Sequence, residues 1–188
     1  MSFLSDTKNF GLLAMVIAVV NVVVSVFTFT SDGDFVWNVI DGVGGILAGL
    51  VMLAAGVTIF TKRFPPFMDR LFVDGASSKF GVITGYTAAI GVSVIVGLGP
   101  TPGSIVWGVL VGILLLVLVW VITDERKDMI SKILWVVLLV IYFFGIIHGV
   151  SIALYGSIYL LTGLCESLLF LLAFLYLFDM SVKDKFGL

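Results

Sequence analysis

The chain has 188 residues, 61% of them hydrophobic and 12% charged, with a formal net charge of −2. Soluble domains run at about half apolar and about a quarter charged, so a water-soluble fold of this length has nowhere to hide so much apolar surface, whereas lipid solvates it. The balanced charge offers no basic face to nucleic acid, one cysteine (Cys165) rules out an intrachain disulfide, and one histidine (His148) rules out a His-rich metal site.

A helix that crosses the hydrocarbon core needs roughly 20 apolar residues. In chain order such stretches cover about 9–30, 35–60, 80–98, 104–123, 129–149 and 150–178. The apolar runs are continuous and do not alternate, so they read as helices and not as barrel strands. The first is longer than a secretory h-region and has no small-x-small cleavage site before Asp32, so it is expected to stay as a membrane anchor. The last two form one apolar run with no charged break. About 50 residues is far too long for one span, so the run is divided at His148-Gly149-Val150-Ser151. The expected fold is an all-α integral membrane protein, one domain over 1–188, with six transmembrane helices.

Basic residues orient the spans, because positive charge stays cytoplasmic. Lys8 precedes the first helix; Lys62, Arg63, Arg70 and Lys79 lie between the second and third. Arg126, Lys127 and Lys132 flank the link from the fourth to the fifth, and Lys183 and Lys185 follow the sixth. The connections 31–34 and 99–103 and the turn near Gly149 carry no Lys or Arg. Both termini are therefore expected inside, in a cell membrane. Trp37 and Trp107 at the outer interface and Trp120 near the inner one fit an aromatic belt.

The outer connections are short, and Gly99-Pro100-Thr101-Pro102-Gly103 is a cluster of helix breakers. Short links make antiparallel neighbours, so the six helices read as three hairpins. The loop 61–79 mixes basic residues with Phe64-Pro65-Pro66-Phe67 and Leu71-Phe72, which suits a segment lying on the cytoplasmic membrane surface. Gly42, Gly45, Gly49 and Gly56 fall on one helical face, and Gly45-x-x-x-Gly49 is a pattern that lets helix backbones approach closely. That face serves packing within the chain or a homo-oligomer contact.

Charge at the bilayer centre costs at least about 2.5–3.5 kcal/mol on insertion scales, so an ionisable residue there usually faces protein and has a task. Glu166 falls near the middle of the sixth expected helix. Thr162, Tyr159, Tyr155 and Ser151 precede it at helical spacing, as a polar stripe from the outer surface to a mid-membrane carboxyl. A carboxyl removed from water prefers to hold its proton, which suits a proton relay, a coupled carrier or a hydrogen bond between helices. Asp41 and His148 sit toward the outer ends of their helices at similar depth, as a candidate pH-sensitive pair or as two interfacial residues. Asn21, Ser25 and Thr28 share a face of the first helix and either complete a polar lining or bond across helices. The sequence has no HExxH, no phosphate loop, no Gly-x-Ser-x-Gly and no mid-membrane lysine, so no cofactor or metal is expected.

The second helix of each hairpin opens alike, with Asp41-Gly42, Trp107-Gly108 and Tyr155-Gly156. Through Gly42–Gly49, Trp107–Gly112 and Tyr155–Gly163, and through six short-linked helices over nearly the whole chain, the sequence resembles the HdeD-like family of small acid-resistance membrane proteins. It departs from that pattern in its outer turns, where only Pro100 and Pro102 fit. The resemblance implies a stress-linked membrane protein and supplies no catalytic residues. Two functions follow as expectations. The favoured one is a small non-enzymatic multi-pass protein, acting by structure or as an accessory subunit of a membrane complex. The alternative is a small ion- or proton-coupled carrier or channel built on Glu166. The expected surroundings are the lipid bilayer and a homo-oligomer or larger complex.

Overall fold

The computed structural model describes residues 6–29, 33–63, 77–99, 101–124 and 129–188, apart from the side chains of 157–159. Its helices are α1 (Thr7–Thr28), α2 (Phe35–Thr61), α3 (Lys79–Val96), α4 (Pro102–Thr123), α5 (Met129–Ala153), α6 (Ser157–Tyr176) and the short α7 (Met180–Lys185). Helices α1 to α5 are 18 to 27 residues long and apolar enough to cross a membrane. Helix α6 has 20 residues and is apolar over Leu160–Tyr176.

Local chemistry sets the helix starts. The side chains of Asp6, Asp34, Ser78, Thr101 and Asp179 each accept a backbone N–H in the first turn of α1, α2, α3, α4 and α7. Each such cap stabilises its helix by about 0.5–2 kcal/mol relative to alanine. Thr101 and Ser104 form a reciprocal capping box, and Pro102 occupies the first turn of α4, where its missing N–H costs nothing. The expected surface-lying segment of the loop 61–79 falls mostly on 64–76, outside the described residues.

One boundary differs from the expectation. Helix α5 runs through His148, Gly149, Val150 and Ser151 to Ala153, and the chain turns at 154–156 instead. The reason lies in what the two glycines do. Gly156 takes φ +74, a backbone region that suits glycine, and so makes the turn. Gly149 stays helical because α6 crosses it closely: a Cβ there would stand 2.5 Å from Ser167 Oγ and 2.8 Å from the Gly163 carbonyl oxygen.

Consecutive helices pair as α1/α2, α3/α4 and α5/α6; α2 then packs on α3 and α1 on α6. Glycine brings the backbones of each pair together. On α2, a Cβ at Gly45 would lie 2.2 Å from Ser25 Oγ, and one at Gly49 would lie 2.5 Å from Val22 Cγ2, both on α1. At Gly42 the ring of Phe29 stands 3.0 Å away. The glycine face of α2 therefore packs within the chain. Between α3 and α4, a Cβ at Gly112 would lie 2.5 Å from the Gly91 carbonyl oxygen, and at Gly163 of α6 one would lie 2.3 Å from the Ala153 nitrogen. Lipid tails are as apolar as leucine, so such close contact is what holds membrane helices together.

Helix α3 is the central element: Phe80, Val82, Ile83, Tyr86 and Ala88 are all buried. Phe10 meets Tyr86 edge-on at 4.9 Å, Tyr86 meets Phe170 at 5.8 Å, and Phe10 stacks on Tyr176 at 5.9 Å. At the Lys79 end of the bundle, Lys79 pairs with Asp179, and Val182 and Phe186 of the last turns are buried. Trp135 Nε1 donates to the Leu177 carbonyl at 2.9 Å, which ties α5 to the same corner. The Lys79 ammonium, helped by the Ser181 hydroxyl, holds the Asp179 carboxyl below its ordinary value of 3.8.

Candidate functional site

Glu166 sits nine residues past Ser157, the first residue of α6. At about 1.5 Å per residue that is roughly 14 Å along the helix, near half of a hydrocarbon core about 30 Å thick. His148 reaches it from α5: His148 Nδ1 lies 3.0 Å from Glu166 Oε1. The α5–α6 hairpin makes this contact by bringing Gly149 and Gly163 backbone to backbone, which sets the neighbouring side chains within reach. The carboxyl is mostly covered, whereas the His148 side chain is 67% exposed, so an ionisable ring looks outward from the bundle beside a sheltered acid.

A cavity of about 640 Å³ opens onto the carboxyl. Asn21 and Val24 of α1 form one wall, Ile152 of α5 with Tyr155 of the turn a second, and Thr162 with Glu166 of α6 a third. A further cavity of about 260 Å³ reaches toward the bundle centre and is lined in part by Asn21, Met52, Tyr86, Ser93 and Glu166. Glu166 and Asn21 therefore stand at the junction of both spaces. Tyr86 and Phe170 line the smaller cavity, and Tyr86 also meets Phe10 edge-on. Next to them, the Thr87 and Tyr142 hydroxyls meet at 2.7 Å.

The residues expected to form one stripe are distributed differently. Thr162 and Glu166 share α6, Tyr155 lies in the turn, and Ser151 lies on α5 with its side chain exposed. Because the turn comes later in the chain than expected, helical spacing from 151 to 166 does not describe one helix. Space brings Tyr155 back to Thr162 and Glu166 as co-lining residues, while Ser151 does not line the cavity. The side chain of Tyr159 lies outside the described residues. Asp41 is half-buried on α2, and His148 pairs with Glu166 instead of with Asp41. Of the α1 polar face, Asn21 lines both cavities, and Ser25 donates to the Asn21 carbonyl at 2.8 Å.

Tyr86 and Ser93 were not singled out by the sequence reading. The signal was there: Thr84, Tyr86, Thr87 and Ser93 place four hydroxyls in one 18-residue membrane-length helix. The small residues around them, Gly81, Gly85, Ala88 and Ala89, give the same helix the look of a packing surface and mask that signal. Among the described residues no three His, Cys, Asp or Glu side chains gather as a metal site.

Comparison with family models, with curated proteins and with solved structures returned no match.

Proposed function

We propose that this multi-pass membrane protein is a small proton-coupled carrier whose working group is the Glu166 carboxyl. The helices span the bilayer six times, with Lys8, Lys62, Lys79, Lys132 and the Lys183 end on the cytoplasmic side of a cell membrane. The α5–α6 turn then faces outward, and the larger cavity runs from that side to mid-membrane. The supporting observation is the placement of Glu166 at the meeting of two cavities, in contact with His148. A carboxyl that only bonds neighbouring helices has no need of a cavity. One that stands between spaces and touches an imidazole can exchange a proton when a solute arrives. The aromatic contacts of Phe10, Tyr86 and Phe170 below the junction are where an inward path would have to open.

The test uses the full chain in liposomes with a pH-sensitive dye inside and a panel of cationic, anionic and neutral solutes outside. The expected result is a solute-driven change of internal pH for at least one class, absent with Glu166→Gln. Traces equal to empty vesicles for every solute, or unchanged by the substitution, refute the carrier.

A second reading, an accessory subunit of a membrane complex, draws on one observation. The His148 side chain faces outward at membrane depth, and lipid receives an ionisable ring poorly. A partner helix over that flank would cover it, and cross-linking from a cysteine at Ser151 in native membranes tests for one.

A further inference from the structure

The Glu166 cavity has a chemistry that selects among solutes. Its volume of about 640 Å³ is that of a small-molecule site. Among the described residues its walls carry one carboxyl (Glu166), one amide (Asn21), the hydroxyl of Thr162, the aromatic ring of Tyr155 and the aliphatic side chains Val24 and Ile152. Among the described residues no Lys or Arg lines either cavity. An anion would therefore meet a carboxyl with no fixed positive charge to offset it. Ca2+ or Mg2+ wants six or more oxygen ligands at short range, and the described wall residues offer one carboxylate, one amide and a few hydroxyls; among the described residues no three His, Cys, Asp or Glu gather to hold another metal. An apolar-walled space with a single acid and an aromatic ring at its mouth suits a cation that carries its own hydrocarbon.

Resting on the carrier reading above, we infer that the solute is an organic monocation of the alkylammonium class, with Glu166 as its counter-charge. Its entry displaces the proton that the His148–Glu166 pair holds. The proton count closes wherever that proton resides. With His148 protonated and Glu166 ionised, or with both neutral, the pair carries one proton and no net charge. An ammonium ion bound to ionised Glu166 beside neutral His148 again gives a site with one positive and one negative charge, and one proton has left to water. Among the described residues the other titratable groups on the two cavities are Tyr155 at the mouth and Tyr86 from α3; α1 presents Asn21, and α2 presents Met52. Cation binding is thus proton-linked through a single pair.

The experiment is calorimetric titration of the full chain in lipid nanodiscs with tetraethylammonium, which has no proton of its own. Butanesulfonate and a neutral alcohol of similar size serve as controls. Measurements in buffers of different ionisation enthalpy count the protons released. The expected result is one proton released per cation, affinity that falls about tenfold per pH unit on the acid side, and no binding of the two controls. Glu166→Gln is expected to weaken binding at least tenfold. His148→Gln, which leaves the carboxyl in place, is expected to keep binding and to move its pH midpoint. Absence of tetraethylammonium binding to the wild type, binding unchanged by Glu166→Gln, or release of no proton overturns the inference. If Glu166-dependent proton movement in liposomes persists with an anion or a neutral solute instead, the cation assignment fails and the carrier stands. If no solute moves protons, the carrier itself fails.

Discussion

The hydroxyl of Tyr142 on α5 meets the hydroxyl of Thr87 on α3 at 2.7 Å, in the buried middle of the bundle. Both hydroxyls also reach the Ile83 carbonyl, Thr87 at 2.8 Å and Tyr142 at 3.4 Å, so the three groups form one buried cluster. The pair links the third hairpin to the central helix, and burial with this bond puts the polar atoms where water cannot replace the partner. Tyr142→Phe removes this hydroxyl from the cluster and keeps the ring. It is expected to destabilise the protein by about 0.6–1.7 kcal/mol, the range of hydrogen bonds between membrane helices. Chemical unfolding in detergent, compared with wild type, measures it; no loss would mean that the bond carries no net energy.

The glycine seams make a second prediction. Adding one methyl at Gly163 requires backbone to move, because the nearest atoms are the Ala153 nitrogen and the Gly149 carbonyl oxygen. Gly103, in the first turn of α4, has among the described residues only the Thr101 hydroxyl, 4.0 Å from its Cβ position. Gly163→Ala is expected to cost about 1–3 kcal/mol, as overpacking does. Gly103→Ala should be neutral or stabilising by up to about 1 kcal/mol. Equal effects at the two sites would show that the α5–α6 seam is looser than its geometry. By the same reasoning Gly49→Leu should unfold the chain instead of splitting an oligomer, because its neighbours Ala18 and Val22 are on α1 of the same molecule.

Much of this was readable from the residues. Apolar run length placed α1 to α4 within about two positions at each end; the caps Asp34, Ser78 and Thr101, which the run lengths do not use, stand where three of those helices begin. The α5–α6 turn was misplaced because two glycines compete in one uncharged run, and only packing tells a turn glycine from a contact glycine. Glu166 stands out in sequence because a carboxylate in an apolar helix is costly. Its partner does not, since choosing His148 over Asp41 depends on which helices lie side by side. Tyr86 and Ser93 were hidden for a similar reason: a hydroxyl in a membrane helix bonds its own backbone or lines a space, and spacing cannot decide.

The Lys79–Asp179 pair gives a pH dependence at the cytoplasmic end of the proposed topology. Lys79, and after it Ser181, depress the Asp179 carboxyl in the folded protein below its ordinary 3.8. A depressed acid stabilises the fold at pH above its unfolded value, and that contribution is lost as pH falls through the lower folded value. Asp179→Asn should therefore lower stability near neutral pH by about 0.5 kcal/mol, the scale of a partly exposed pair. The difference from wild type should shrink as the solution is acidified below pH 3.8. Thermal unfolding of both proteins across that range measures it, and a difference that grows in acid would reverse the assignment.

Orientation is checked by labelling. In a Cys165→Ala background, a cysteine at Thr101 should react with an impermeant thiol reagent applied outside cells, and cysteines at Ser77 or Ser181 should not. External labelling at Ser77 or Ser181 would overturn the arrangement with the Lys79 end inside.

Proton exchange at the His148–Glu166 contact is the claim on which the functional account turns, and infrared spectroscopy of the protein in bilayers reads it directly. Acidification should bring up a protonated-carboxyl stretch that is missing in Glu166→Gln. In His148→Gln the response of the same band to acidification should differ from wild type, because the imidazole that contacts the carboxyl is gone. A Glu166 carboxyl that stays protonated at every pH where the protein remains folded, with no response to His148→Gln, would contradict the account and leave Glu166 as a structural hydrogen-bonding group.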